Sequence, residues 1–180
     1  MSWILSGAVA ALLLHVTPTV ELVKRVDAVH QIFPAADAWF ERELHLSDPD
    51  AHKLHEALDW SPEDGVLRFY TGKRAGAAVG ALVFVRVDTP HGPLEVAVGF
   101  GTDGAIASVV VTKATVETKP WVLTAVRAGL CAHYKGMRPG TVPRAADQIR
   151  DAAGDLPAYM GTQIDKGVQR ALVTYGDFYK

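Results

Sequence analysis

The hydrophobic and polar positions of this chain alternate most regularly in its middle third, and the pattern predicts an antiparallel β-sheet. Residues 81–87 are almost continuously apolar, which is typical of a strand buried on both faces. The next strand, residues 94–100, has one buried face, because its apolar residues fall on every second position, namely Leu94, Val96, Val98 and Phe100. Residues 66–72 and 106–111 are two more predicted strands, and Asp103-Gly104 is a tight hairpin signal.

Apolar residues at helical spacing predict helices on either side of these strands in the sequence. One helix opens at Pro18 and Thr19, stops at Phe33-Pro34, and carries on one face Leu22, Val26, Val29 and Phe33. Trp39 and Phe40 then begin an edge strand. Ser47 and Asp50 form a capping pattern for a short helix through Leu58. The fold class predicted is therefore α+β, an antiparallel sheet with flanking helices.

Two further helices follow the predicted sheet. One spans residues 121–134 and closes at Lys135-Gly136. The other begins at Gly161 and Thr162 and carries one apolar stripe, Ile164, Val168, Ala171, Leu172 and Tyr175. Thr162 with Asp165 makes a weak capping box. A helix start of this kind presents free N–H groups and the positive dipole end, which suit a phosphate, although a cap of an ordinary core helix has the same pattern.

The N-terminus predicts a membrane segment. Residues 1–20 carry no acidic or basic side chain, and residues 3–16 are apolar except for Ser6 and His15. This run of about 14 residues is short of the roughly 20 that span a bilayer, and it lacks a basic leader and a cleavage motif. We interpret residues 1–19 as an uncleaved signal-anchor or a monotopic membrane helix, and residues 20–180 as the domain behind it. A buried core helix is the alternative.

Composition, charge and short motifs argue against several classes of function. The chain has 180 residues, 49% of them hydrophobic, which is ample for a buried core. Its net charge of −2 and its lack of a basic tract argue against nucleic-acid binding. The one cysteine, Cys131, has no partner for an internal disulfide. The histidines do not show zinc-type spacing, so no metal site is predicted, and no hydrolase or nucleotide-binding motif indicates catalytic residues.

Together, the strand pattern of residues 79–112 and the glycine-led helix start at Gly161 resemble the FMN-binding domain family. This domain occurs in the G subunit of Rnf-type electron-transport complexes, in the C subunit of Na+-pumping quinone reductases and in small membrane-anchored relatives. The run Phe33-Pro34-Ala35-Ala36-Asp37 is similar to the family's Phe-Pro-x-Ala-Asp. The resemblance covers about residues 20–175 and implies the same α+β fold with an N-terminal hydrophobic helix.

The family's flavin-attachment motif, Asp-x-x-Ser-Gly-Ala-Thr-x-Ser/Thr, is degenerate in this chain. Met160 and Gly161 stand for Ser-Gly, and the attachment threonine falls on Thr162 or on Gln163, depending on a one-residue gap. Gln163 has no hydroxyl and cannot form a phosphoester. The resemblance therefore implies that Gly161, Thr162 and Gln163 contact an FMN phosphate without a covalent bond, if a flavin is bound.

A second segment of the resemblance lies in residues 112–120, which align with the family loop His-x-Glu-Thr-Pro-Gly over the flavin. Glu117 and Thr118 match directly, and Lys119 is an insertion. The resemblance implies that Glu117, Thr118 and Lys119 contact the flavin ring or its ribityl chain. A lysine at that ring would favour the reduced, anionic flavin.

Two functions follow from the sequence. In the first, an extracytoplasmic, periplasmic domain tethered to the membrane binds FMN and relays electrons in a membrane redox complex, with cytochromes or quinone-reactive proteins as partners. In the second, the fold has lost its flavin and serves as a structural or docking subunit of such a complex. Bulky Tyr159 and Met160, where small residues are expected, favour the second.

Overall fold

The computed structural model describes residues 17–179, and the predicted N-terminal hydrophobic helix lies outside them. A six-stranded antiparallel sheet has the order β1-β6-β5-β4-β3-β2. The strands are β1 (Thr19–Glu21), β2 (Ala38–His45), β3 (Val66–Arg74), β4 (Ala77–Val87), β5 (Leu94–Gly101) and β6 (Ile106–Thr115). The α+β class with flanking helices is confirmed, as are the four central strands and the edge strand at Trp39 and Phe40.

Helices cover both faces of this sheet. They are α1 (Arg25–Ile32), α2 (Asp48–Leu58), α3 (Lys119–Arg127), α4 (Ala145–Ala153) and α5 (Asp155–Phe178), with 3-10 turns at Glu63–Gly65 and Leu130–Tyr134. On one face, α3, α4 and α5 share a core with alternate residues of the strands, among them Val85, Val96 and Phe100. On the other face α1 packs a smaller core, in which Ala28, Ile32 and Phe33 meet Leu82 and Ala97.

The helix predicted from Pro18 is wrong over its first part. Residues Thr19–Glu21 pair with β6, Thr19 opposite Thr115, and the helix begins only at Arg25. Its buried face also differs, because Val26 is 58% exposed whereas Ala28 and Ile32 are buried. The predicted stop at Phe33-Pro34 is confirmed, since α1 ends at Ile32 with Phe33 as its C-cap.

Two more boundaries differ from the prediction. The helix predicted over residues 121–134 is two pieces, α3 and a 3-10 turn, because Gly129 between them adopts a left-handed conformation with φ 90°. The helix predicted to begin at Thr162 begins at Asp155, just after Gly154. Ser47 caps α2 as predicted, accepting a bond from the Asp50 amide at 3.4 Å. Among residues 17–179, no helix is both long and apolar enough to cross a bilayer.

Candidate functional site

The predicted phosphate-binding segment lies inside a helix instead of at its start. Gly161, Thr162 and Gln163 are in the second and third turns of α5, so their amides bond to carbonyls four residues earlier. The Thr162 hydroxyl donates to the Ala158 carbonyl at 3.2 Å. The free N–H groups that make a helix start attractive to phosphate are therefore used within the helix at these residues.

Close packing surrounds the same segment. A methyl group on Gly161 would lie 3.1 Å from the Ala146 Cβ and 3.3 Å from the Leu130 Cδ1. Gln163 is buried at 5% exposure, so it does not reach a solvent-facing ligand. Thr162 alone keeps an exposed side chain. Gly161 thus serves the contact between α5 and α4, which is a structural reason for a small residue at this position.

The helix start that lies beside this segment belongs to α4, and a carboxylate of the protein caps it. Asp165 of α5 accepts bonds from the amides of Ala145 at 3.0 Å and Ala146 at 3.1 Å. The buried Tyr134 hydroxyl donates to the same carboxylate at 2.9 Å. Burial raises the pKa of Asp165, and these three hydrogen bonds offset that rise only in part. The anion held by α4 is therefore supplied from within the fold.

The predicted ring-facing loop is the end of β6 and the start of α3. Thr118 is 1% exposed, and its hydroxyl lies 2.9 Å from the Thr115 hydroxyl, while each residue's amide donates to the other's side chain. This closed pair turns Thr118 inward. Glu117 and Lys119 are exposed on either side of it.

Glu117 joins a surface cluster that links the two predicted segments. Its carboxylate lies 3.0 Å from the Nδ1 of His91, which comes from the turn between β4 and β5. The His91 ring meets Trp121 edge-on with centroids 5.3 Å apart, and Tyr159 at 5.9 Å. The structure therefore brings Glu117 close to the residues just before Gly161. It does not bring the Thr118 hydroxyl or the Gln163 side chain to that surface.

Four of the six predicted residues, Gly161, Thr162, Gln163 and Thr118, offer no free hydrogen-bond donor to an FMN phosphate in this arrangement. Thr162 offers one hydroxyl that already donates within α5, Gly161 has no free volume, and Gln163 and Thr118 are buried. The binding roles of Glu117 and Lys119 stay predictions. In the described part of the chain, no three His, Cys, Asp or Glu side chains are placed to hold a metal ion.

A groove that the sequence reasoning missed lies between β3 and β4. Their ladder runs from the hairpin to Phe69 opposite Val83 and ends there. Beyond this pair, β3 continues to pair with β2 as far as Val66, and β4 continues to pair with β5 as far as Val87. The sheet therefore splits into two halves at this end. The split opens a groove of about 570 Å³, which is within the usual size of ligand clefts.

Charged and aromatic side chains line this β3–β4 groove. Its cations outnumber its acids by one, although the whole chain carries a net charge of −2. The cationic side chains are Arg25, Arg68, Arg86 and Lys113, the acidic ones Glu63, Asp88 and Glu95, and the aromatic ones Trp60, Tyr70 and Phe84.

A partly buried ion pair forms one wall of the groove. The Glu95 side chain is 8% exposed and makes a bidentate contact with Arg25, whose Nε lies 3.0 Å from the carboxylate. Thr112 donates to it at 2.9 Å and Lys113 at 3.4 Å. Burial by itself raises the pKa of Glu95, but the bonds from Arg25 and Thr112 and the two nearby cations outweigh it and lower the pKa. Glu95 is thus an ionised, fully paired residue.

Aromatic rings shape the rest of the groove. Phe84 meets Tyr70 edge-on at 5.5 Å, and the Arg25 guanidinium lies 4.7 Å from the Phe84 centroid. On the face of the sheet that packs against α5, the Arg170 guanidinium lies 5.2 Å from the Trp60 ring centroid and donates to the Arg86 carbonyl at 2.9 Å. In the sequence, the signal was the set of charged residues inside otherwise apolar strands.

Comparison with protein-family models finds no family that matches this chain, and comparison with curated proteins finds no matching protein.

Proposed function

We propose that this chain is a flavin-free docking domain, with the FMN-binding-like fold serving as a structural subunit of a membrane electron-transfer complex. The observation that carries the proposal is the position of Gly161 and Thr162 in the packed interior of α5. A domain that holds FMN through this segment needs free amides or a free hydroxyl there, and the helix uses both.

Asp165 supports the same proposal. Its carboxylate occupies the start of α4, where the dipole and free amides of a helix attract an anion. A flavin phosphate at that helix start would have to displace a buried side chain that also holds Tyr134. The fold is therefore complete at this position without a cofactor.

Partners follow from the resemblance and the N-terminal pattern. We propose that residues 1–19 hold the domain at a membrane, on the extracytoplasmic side, and that it contacts other redox-complex subunits such as cytochromes or quinone-reactive proteins. Electrons would pass through those other subunits, and this domain would hold the subunits in place.

Flavin titration tests the proposal. The purified full chain should lack the flavin absorption band near ~450 nm, and added FMN should keep its free fluorescence and give no calorimetric heat of binding. Thr162→Ala should behave identically, because the hydroxyl has no ligand to lose. Acid-precipitated protein should carry no flavin mass on the peptide that contains Thr162.

The opposite results distinguish the alternatives. Flavin on that peptide would show covalent attachment. Reversible binding that Thr162→Ala weakens would show a non-covalent FMN site and an electron-relay role. Either outcome overturns the flavin-free proposal. Copurification with identified cytochrome subunits, in the absence of flavin, is the result expected for a docking subunit.

A further inference from the structure

We infer that the β3–β4 groove binds an extended acidic peptide segment of a partner protein. The inference rests on the proposed docking function and assigns it to a particular surface. Four observations carry it: the split ladder, the size of the groove, the two exposed arginines on its facing walls and its aromatic floor.

The split ladder supplies the space. Val66 and Arg68 lie on β3 beyond its last pair with β4, and Arg86 lies on the corresponding part of β4. In a continued register Arg68 would face Phe84 directly, so Arg68 and Arg86 come from opposite sides of the opening. Two guanidinium groups on facing walls suit a ligand with more than one negative charge, since each presents several N–H donors to a carboxylate.

Arg68 and Arg86 are available to a ligand, because the ion pairs that they make are exposed. Arg68 bonds to Glu43 at 2.7 Å, and Arg86 bonds to Asp88 at 3.0 Å. The Arg68 and Arg86 side chains are 41% and 59% exposed, and exposed pairs of this kind contribute little to stability. A carboxylate entering the groove exchanges one exposed partner for another. Arg25 is different, because it is committed to the buried Glu95.

The aromatic floor of the groove indicates which residues of a bound peptide accompany its acidic residues. Tyr70 and Phe84 both line the groove and are half-buried, and their rings meet edge-on, with Arg25 over the Phe84 ring. In an extended peptide, successive side chains point to opposite sides, so two adjacent acidic residues reach Arg68 on one wall and Arg86 on the other. Aromatic residues that flank this acidic pair then contact the rings. This pattern matches a peptide better than a small inorganic anion, which would leave the ring surface uncovered.

Calorimetric titration of the full chain with a synthetic probe tests the inference. The probe is an acetylated, amidated peptide, Phe-Glu-Glu-Phe, in which the two adjacent glutamates point to opposite sides and a phenylalanine flanks each of them. We expect saturable binding that weakens as salt rises, because the contacts are charged. The same peptide with lysine in place of glutamate should not bind.

Variants locate the site. Arg68→Ala with Arg86→Ala should weaken binding about tenfold or more, since two charge-assisted contacts are lost. Arg150→Ala removes a comparable exposed ion pair, that with Asp155, on α4 and should leave binding unchanged. Reversal of both charges, Arg68→Glu with Arg86→Glu, should transfer the preference to the lysine peptide. An unchanged unfolding midpoint confirms that each variant is folded.

Three outcomes would overturn the inference. The first is no binding of the glutamate peptide by the folded wild-type chain. The second is equal binding to the double-alanine variant. The third is binding of free succinate as tight as that of the peptide, which would make the groove a small-molecule site. Flavin binding in the separate titration would overturn the proposed function and not this result, so the two failures are distinguishable.

Discussion

At the scale of single residues, two buried carboxyl groups have pKa values that folding shifts in opposite directions. Glu95 is held by Arg25, Thr112 and Lys113, and its pKa is lowered. Asp165 has no cation among its hydrogen-bond partners, which are two amides and a tyrosine, and burial raises its pKa. The ionised form is therefore favoured by folding at Glu95 and disfavoured at Asp165.

The lowered pKa of Glu95 makes a pH-dependent contribution to stability. A carboxyl whose pKa falls on folding stabilises the protein above its unfolded pKa, near ~4.3, and that contribution is lost as pH falls through the folded value. We expect Glu95→Gln to lower the free energy of unfolding at neutral pH by about 1–2 kcal/mol, because the charge-assisted hydrogen bonds that Glu95 accepts from Arg25 and Thr112 are weakened. The difference between the two proteins should shrink as pH falls below about 4.

Urea unfolding of both proteins across the acidic range measures this difference, and the opposite dependence of Asp165 cancels in it. Glu43→Gln, which removes an exposed carboxylate beside the same groove, is the control and should leave stability nearly unchanged. A difference between wild type and Glu95→Gln that stays constant with pH would contradict the assignment of an ionised, stabilising Glu95.

At the scale of elements, α5 packs against β4 and β5. Gly167 allows α5 to approach these two strands closely. A methyl group there would lie 2.7 Å from the Val96 Cγ2 and 3.1 Å from the Val87 Cγ2. Both neighbours belong to the buried core and are held by the sheet, so they have little room to move.

We predict that Gly167→Ala destabilises the protein, although alanine is the better helix former. Overpacking costs about 1–3 kcal/mol, and the gain in helix propensity offsets roughly 1 kcal/mol of it. Lys166→Ala, at the exposed neighbouring position, should change stability by less than about 0.5 kcal/mol. Thermal unfolding of the two variants beside the wild type checks this. A more stable Gly167→Ala would show that α5 does not approach the sheet so closely.

Helix boundaries show where reasoning from sequence succeeded and where it failed. Ser47 was found because its cap is local. The start of α5 was misplaced because a Gly-Thr pair in the middle of a helix resembles a cap. The better signal was Gly154 followed by Asp155 and Pro157, since glycine ends the preceding helix and proline is favoured in a first turn. The split at Gly129 depended on a left-handed backbone that the apolar pattern does not report.

At the scale of the whole molecule, the hydrophobic pattern predicted the central antiparallel strands because each has at least one buried face, although the prediction of a single buried face for residues 94–100 is wrong, since β5 is buried on both faces. It did not predict β1, a three-residue strand whose partner lies far away in the sequence at β6. It also missed the β3–β4 groove, because both strands continue past the point where their pairing ends. Pairing between distant segments carries no local signal, so the candidate site was found only in the folded arrangement.

A flavin-free domain requires most directly that α5 is one continuous helix through Gly161, Thr162 and Gln163. Amide hydrogen exchange followed by NMR measures this residue by residue. We predict that the amides of Thr162 and Gln163 exchange as slowly as that of the buried Val168, while Leu156 in the first turn exchanges rapidly. Rapid exchange at Thr162 and Gln163, as expected for a helix that begins there with free N–H groups, would contradict the account.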